Sequence, residues 1–149
     1  MKFKKICEKF NGKLTKNGCL VDGYNLDNAI YLFNHKPFSQ VHKTMSPDEF
    51  LKLAPRLIPN NPKIQEELKN KIKNKKPIDP LFLDVDIDKC KVLGHEGRNR
   101  SVIAKELGIK KVPVIIFKKQ HTKEGGMFGQ GGDYYSDKKY KCKKLLPEN

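Results

Sequence analysis

The sequence predicts an α+β domain: a small mixed sheet with helices packed against it, an N-terminal β extension and an irregular basic tail. Three observations carry that expectation. A strand, loop, helix, strand succession is legible between residues 91 and 117. Two further helix starts stand at Ser46-Pro47-Asp48-Glu49 and at Pro62. Two Asn-Gly pairs, Asn11-Gly12 and Asn17-Gly18, mark hairpin-type turns near the N-terminus. The organisation read from these signals is an extension over 1–43, a central domain over 44–118, and a glycine-rich loop with a basic tail over 119–149.

In the extension, Ile6 to Phe10, Lys13 to Thr15 and Cys19 to Val21 read as a three-stranded meander. Leu26, Ala29, Ile30 and Phe33 have helical spacing, which predicts a helix over Asp27 to Phe33. Asp22, Tyr24 and His35 read as ordinary turn or surface groups. In the central domain the Ser46 helix runs to Ala54, where Pro55 stops it. The Pro62 helix carries Ile64, Leu68 and Ile72 as one apolar stripe. Its other face carries Lys63, Lys69, Lys71 and Lys73, with Lys75 and Lys76 beyond. Leu81 to Val85 reads as a strand, and Asp84, Asp86 and Asp88 as a solvated turn without the glycine and closing glutamate of a calcium loop. Cys90 to Leu93 is the next strand, a helix starts at Asn99 and stops at Gly108, and Lys111 to Phe117 is a buried strand. Pro113 is expected at a sheet edge or at the first strand position.

Between that strand and helix lies Gly94-His95-Glu96-Gly97-Arg98-Asn99-Arg100-Ser101. A glycine-flanked loop at a helix start suits a phosphate, because free N–H groups and the positive end of the helix dipole face it. Arginine usage sharpens the point. The chain has 31 Lys+Arg, yet its arginines are Arg56, Arg98 and Arg100 alone, and two of them share this loop. Arginine grips phosphate with a planar fork, whereas lysine is a point charge. In the competing reading, both loop arginines cap the loop and pair with Glu96 and Glu106.

The box, the short helix after it and Gly108-Ile109-Lys110-Lys111-Val112-Pro113-Val114-Ile115-Ile116 resemble the ParB N-terminal domain and its sulfiredoxin-like relatives. That family shows a Gly-Glu-Arg-Arg-x-Arg-Ala box, a helix, then Gly-hydrophobic-x-x-hydrophobic-Pro. The resemblance extends back through Ile64 to Ile72 and Asp79-Pro80-Leu81-Phe82-Leu83, and covers residues 44 to 118. His95-Glu96-Gly97 replaces the tighter Glu-Arg of the family, so Glu96, Arg98 and Arg100 are the positions that carry over. The loop has no cysteine, which argues against sulfiredoxin's redox chemistry.

The resemblance implies a nucleoside triphosphate with Mg²⁺, its phosphates held by Gly94, Gly97, Arg98, Arg100 and Ser101. Arg56 follows a proline, where the resemblance places a third phosphate contact. Glu96 would hold Mg²⁺ or activate water, and His95 would donate to a phosphate or act as general acid. As an enzyme, the protein would be a Mg-dependent nucleotide hydrolase or a ParB-like nuclease.

The formal charge of +14 implies attraction to polyanions, chiefly nucleic acid, and Lys69, Lys71, Lys73, Lys75 and Lys76 are the expected backbone contacts. Gly125 to Gly132 lacks the ending of a P-loop and reads as a flexible loop, and the tail interleaves Tyr140 and Cys142 with lysines. The stretch after Phe117 is expected to be too short for the helical DNA-reading domain of partition proteins. The alternative to a nucleotide-dependent enzyme is a non-enzymatic nucleic-acid-binding or virion structural protein from a virus or mobile element. Cys7, Cys19, Cys90 and Cys142 have no Cys-x-x-Cys spacing, so neither a disulfide framework nor a zinc site is expected, and no haem. No apolar run reaches a membrane span and no signal segment follows Met1-Lys2-Phe3-Lys4-Lys5. The expectation is a reduced, intracellular protein of cytoplasm or nucleoid, not secreted.

Overall fold

A central four-stranded sheet separates two unlike layers. The computed structural model describes residues 3–29, 39–54, 61–86 and 91–119. Arg56, His35, Asp88, Cys90, the glycine-rich stretch and the lysine tail lie outside these residues. The elements are α1 (Phe3–Lys9), β1 (Lys13–Leu14), β2 (Gly18–Val21), β3 (Tyr24–Asp27), β4 (Ser39–Met45), α2 (Pro47–Leu53), α3 (Pro62–Lys73), β5 (Leu81–Asp86), β6 (Lys91–Glu96), α4 (Arg98–Glu106) and β7 (Val112–Lys119). The expected α+β class is what the chain forms.

The main sheet has the order β4-β7-β5-β6 and is mixed, with β7 antiparallel to β4 and parallel to β5, and β6 antiparallel to β5. Strand alternation assigns its two faces. Leu81, Leu83, Val85, Val114 and Ile116 pack with Phe50, Ile72, Ile103 and Ala104 from the three helices α2, α3 and α4, and with Ala54, the C-cap of α2. Phe82, Ile115 and Phe117 point the other way, into Ile6, Cys7, Phe10, Cys19, Val21 and Leu26 of the N-terminal lobe. Phe82 and Phe117 stack there with ring centroids 5.9 Å apart.

The lobe differs from the expected meander. Residues 3 to 9 are helix, not strand, because Phe3, Ile6, Cys7 and, just past its end, Phe10 recur at i, i+3, i+4 and i+7 and bury one face. Asn11-Gly12 ends that helix instead of turning a hairpin. Asn11 takes φ 55°, and the Gly12 N–H donates to the Cys7 carbonyl at 2.9 Å, a Schellman-type stop. A hairpin does form beside the second pair, with β1 and β2 antiparallel, but it turns at Lys16 and Asn17, and Gly18 is already the first residue of β2. A second hairpin, β2–β3, turns on Asp22 and Gly23, whose φ values of 46° and 86° are those of a type I′ turn. The three-stranded sheet is therefore β1-β2-β3. The helix expected from Asp27 does not begin there: Leu26 and Asp27 belong to β3, paired with Cys19 and Gly18. Tyr24, expected on the surface, is fully buried.

The cysteine expectation is also corrected. Cys7 and Cys19 form a disulfide across a Cα–Cα distance of 5.7 Å. The β1–β2 register brings this about, since pairing Leu14 with Cys19 folds β2 back beside α1.

In the helical layer, α2 has the expected capping box. The Ser46 Oγ accepts from the Glu49 N–H at 3.1 Å and the Glu49 side chain accepts from the Ser46 N–H. Asn61 caps α3, accepting from Lys63 and Ile64. Of the expected α3 stripe, Ile72 is buried and Leu68 partly so, but Ile64 is exposed. Asp84 and Asp86 are buried strand residues rather than a solvated turn, because β5 continues to Asp86 between β6 and β7. Pro113 lies neither on an edge nor first in its strand. It is the second residue of central β7, one residue before the β5 ladder begins at Val114, so its missing N–H falls outside that ladder. Strand β4, unforeseen in the sequence, crosses the expected boundary at residue 44.

Candidate functional site

The glycine box is less of a loop than its sequence promised. Strand β6 runs through Gly94 and His95 to Glu96, and α4 begins at Arg98, one residue before the expected Asn99. Gly94 pairs with Asp84 and His95 with Leu83, and both box residues are buried. The entire turn is Gly97, the helix N-cap, at φ 112°. A Cβ there would lie 2.9 Å from the Arg100 Nη2 and 3.2 Å from the Leu81 Cα, so the left-handed backbone and the crowding both demand glycine.

The next residues point to separate places, as successive positions on a helix must. Arg98 Nη1 donates to the Ala54 carbonyl at 2.7 Å, at the C-terminal end of α2. Asn99 Oδ1 accepts from Gln65 Nε2 of α3 at 3.1 Å. Arg100 turns to the start of β5, donating to the Pro80 carbonyl at 2.8 Å. It also donates through both Nη atoms to the two Glu96 oxygens, at 3.2 Å for Nη1–Oε1 and closely for Nη2–Oε2. Ser101, fully buried, donates from Oγ to the Pro47 carbonyl at 3.1 Å, at the other end of α2. Arg98 and Arg100 do not converge on one anion. Arg98 and Ser101 clasp α2 at its two ends, and Arg100 anchors the approach to β5.

That approach explains the burial of Arg100. Residues 78 to 80 pass under the N-terminal lobe, and each exposes a carbonyl that needs a donor. Ile78 O accepts from the Asp27 N–H at 2.9 Å, Asp79 O from the Tyr24 hydroxyl, and Pro80 O from Arg100. Burial pushes the Tyr24 phenol well above its usual range, so it stays a neutral donor. The Asp79 carboxyl is raised as well, first by burial and then by Glu96 and Asp27, with Arg100 opposing. The competing reading of the arginines is met in part: Arg100 pairs with Glu96, whereas Glu106 takes Lys69.

Mg²⁺ fits this arrangement poorly. Glu96, the expected metal ligand, has both oxygens on the Arg100 guanidinium. Among the described residues no group of three or more His, Cys, Asp or Glu side chains converges as a metal cage.

The lysines of α3 divide. Lys69 Nζ lies 2.8 Å from Glu106 Oε1, and that bond raises its pKa. Lys63, Lys71, Lys73, Lys75 and Lys76 are exposed. Lys75 takes φ 52° just past the helix, and its carbonyl accepts from Asn25 Nδ2 at 2.8 Å, so the lobe fixes the backbone at the end of this basic face. A histidine that sequence reasoning missed, His42 of β4, lies edge-on to Phe10 with centroids 5.5 Å apart. Burial, with the nearby Lys9 charge adding to it, lowers its pKa to about 4. Among the described residues no helix is long and apolar enough to cross a membrane.

No family model matches the chain, and no curated protein sequence does. Among solved structures it is similar to two of a pNOB8-like ParB N-domain. One is 22% identical with a TM-score of 0.41, the other 26% identical with a TM-score of 0.36. Each match covers 58% of this chain and about a third of the other, 33% and 31% respectively.

Proposed function

We propose that the protein binds the phosphate backbone of nucleic acid without reading its sequence and without catalysis. One observation carries the reading: the chain's charge is +14, and among the described residues the exposed cations are lysines, while Arg98 and Arg100 are spent on internal carbonyls and on Glu96. Lys63, Lys71, Lys73, Lys75 and Lys76 supply point charges to a polyanion, a contact that needs no particular base. Two labelled duplexes of unrelated sequence should bind with equal affinity. Changing Lys71, Lys73 and Lys76 together to Gln should weaken both equally. A tenfold preference for one duplex would refute sequence tolerance.

A second reading has one observation in its favour. The Gly97 N-cap makes no side-chain capping bond, so the first N–H groups of α4 suit a phosphate. A nucleoside triphosphate would place a phosphate there. Equilibrium binding of each labelled nucleotide, with and without Mg²⁺, tests this. Saturable binding of one nucleotide that unlabelled nucleotide displaces and an unrelated duplex does not would favour it over the first.

A further inference from the structure

We propose that the N-terminal lobe is a second nucleic-acid-binding surface, gripping the phosphate backbone on the side of the sheet opposite α2, α3 and α4. The inference rests on the backbone-binding reading above and adds a surface that neither the box nor α3 indicated. Lys4, Lys5 and Lys9 project from α1, and Lys13 and Lys16 from β1 and the turn after it, all of them exposed. Glu8 is the sole acid between Phe3 and Asn17. Among the described residues none of these five lysines is in an ion pair. On α3, by contrast, Glu66 and Glu67 interrupt the lysines and Glu106 takes Lys69.

The five charges are also held in fixed relation. The Cys7–Cys19 disulfide joins α1 to β2, the Gly12 N–H closes on the Cys7 carbonyl, and Lys13 pairs with Leu20. A cationic surface that is already ordered loses little freedom when it meets a regular array of phosphates. The lobe offers little to a bilayer. Ile6, Cys7 and Phe10 of α1 are turned into the core, leaving no apolar helix face outside for insertion. Leu14 is the one large apolar side chain the described lobe exposes, at 47%, and a single leucine among five lysines suits a hydrated polyanion better than a bilayer.

The test uses the full chain and a labelled DNA duplex of about 20 base pairs, titrated at several salt concentrations. Changing Lys4, Lys5, Lys9, Lys13 and Lys16 together to Gln should weaken binding at least tenfold near 100 mM salt. It should also make the log–log salt slope shallower by about 2 or more, at about 0.9 per lost contact. The same five positions changed to Arg should bind as the parent does. If the Gln variant matches the parent while Lys63, Lys71 and Lys73 changed to Gln weaken binding, the lobe surface is wrong and the backbone-binding reading stands. If the parent itself fails to bind, that reading falls and takes this one with it. If the Arg variant loses as much as the Gln variant, fold rather than charge is responsible and the proposal is overturned. Lysine-dependent binding to anionic phosphatidylglycerol vesicles, with none to the duplex, would overturn it in favour of a membrane surface.

Discussion

Replacing Arg100 should unfold the protein sooner, and by an amount the structure sets. Arg100→Ala leaves the Pro80 carbonyl without its donor and Glu96 without its charge partner, around a side chain only 12% exposed. A charge-assisted hydrogen bond to a buried carbonyl contributes about 1.5–3 kcal/mol. The Glu96 pair adds less, because that carboxylate is 44% exposed and solvent screens it. The expected loss is about 3 kcal/mol, or roughly 10 °C in melting temperature for a chain of this size. Glu96→Gln should cost no more than about 1 kcal/mol, since the amide oxygen still accepts from Arg100. Arg100→Lys should fall between them, because a single ammonium cannot serve Pro80 and both Glu96 oxygens at once. Urea and thermal melts followed by far-UV circular dichroism measure all three. The reasoning is refuted if Arg100→Ala melts with the parent and the defect lies instead in binding phosphate.

Two further outcomes follow from the lobe. His42 should make stability fall in acid: its folded pKa of about 4 lies below the unfolded value near 6.5. The unfolded chain therefore binds the extra proton. Its contribution is fully present above about pH 6.5 and is lost progressively as pH falls toward 4, by up to about 3 kcal/mol, and His42→Gln should flatten that part of the pH profile. Reducing Cys7–Cys19, which are separated by 12 positions, should cost about 3 kcal/mol by releasing a short loop in the unfolded state. Melts with and without a phosphine reductant measure this, and a Cys7→Ser/Cys19→Ser double variant should no longer respond to the reductant.

What could be read in the sequence was local. The Ser46 capping box, the proline opening α3 and the apolar run of β7 each carry their signal within a few residues, and each element formed. The helical spacing of Phe3, Ile6, Cys7 and Phe10 was equally legible but was overridden by the Asn-Gly pair beside it. Asp22-Gly23 carries the same kind of hairpin signal within two residues. Strand β4 gave little to read, because Gln40, His42 and Thr44 occupy one of its faces and only Val41 and Met45 mark the other. The disulfide is set by the register of a hairpin, which cysteine spacing does not encode. The box was found, but the directions of its side chains were not. Arg98 and Arg100 separate because the helix begins at Arg98, and positions two apart on a helix share no face. The position of that first helical residue sends the two side chains to different partners, the Ala54 carbonyl and the Pro80–Glu96 pair.

The central claim, that lysine charge on the surface engages a nucleic-acid backbone, is tested most directly by the salt dependence of duplex affinity for the unaltered chain. With about five backbone contacts at about 0.9 each, log Kd against log salt should be linear with a slope of magnitude about 4 or more. A slope near zero between low and physiological salt would contradict it.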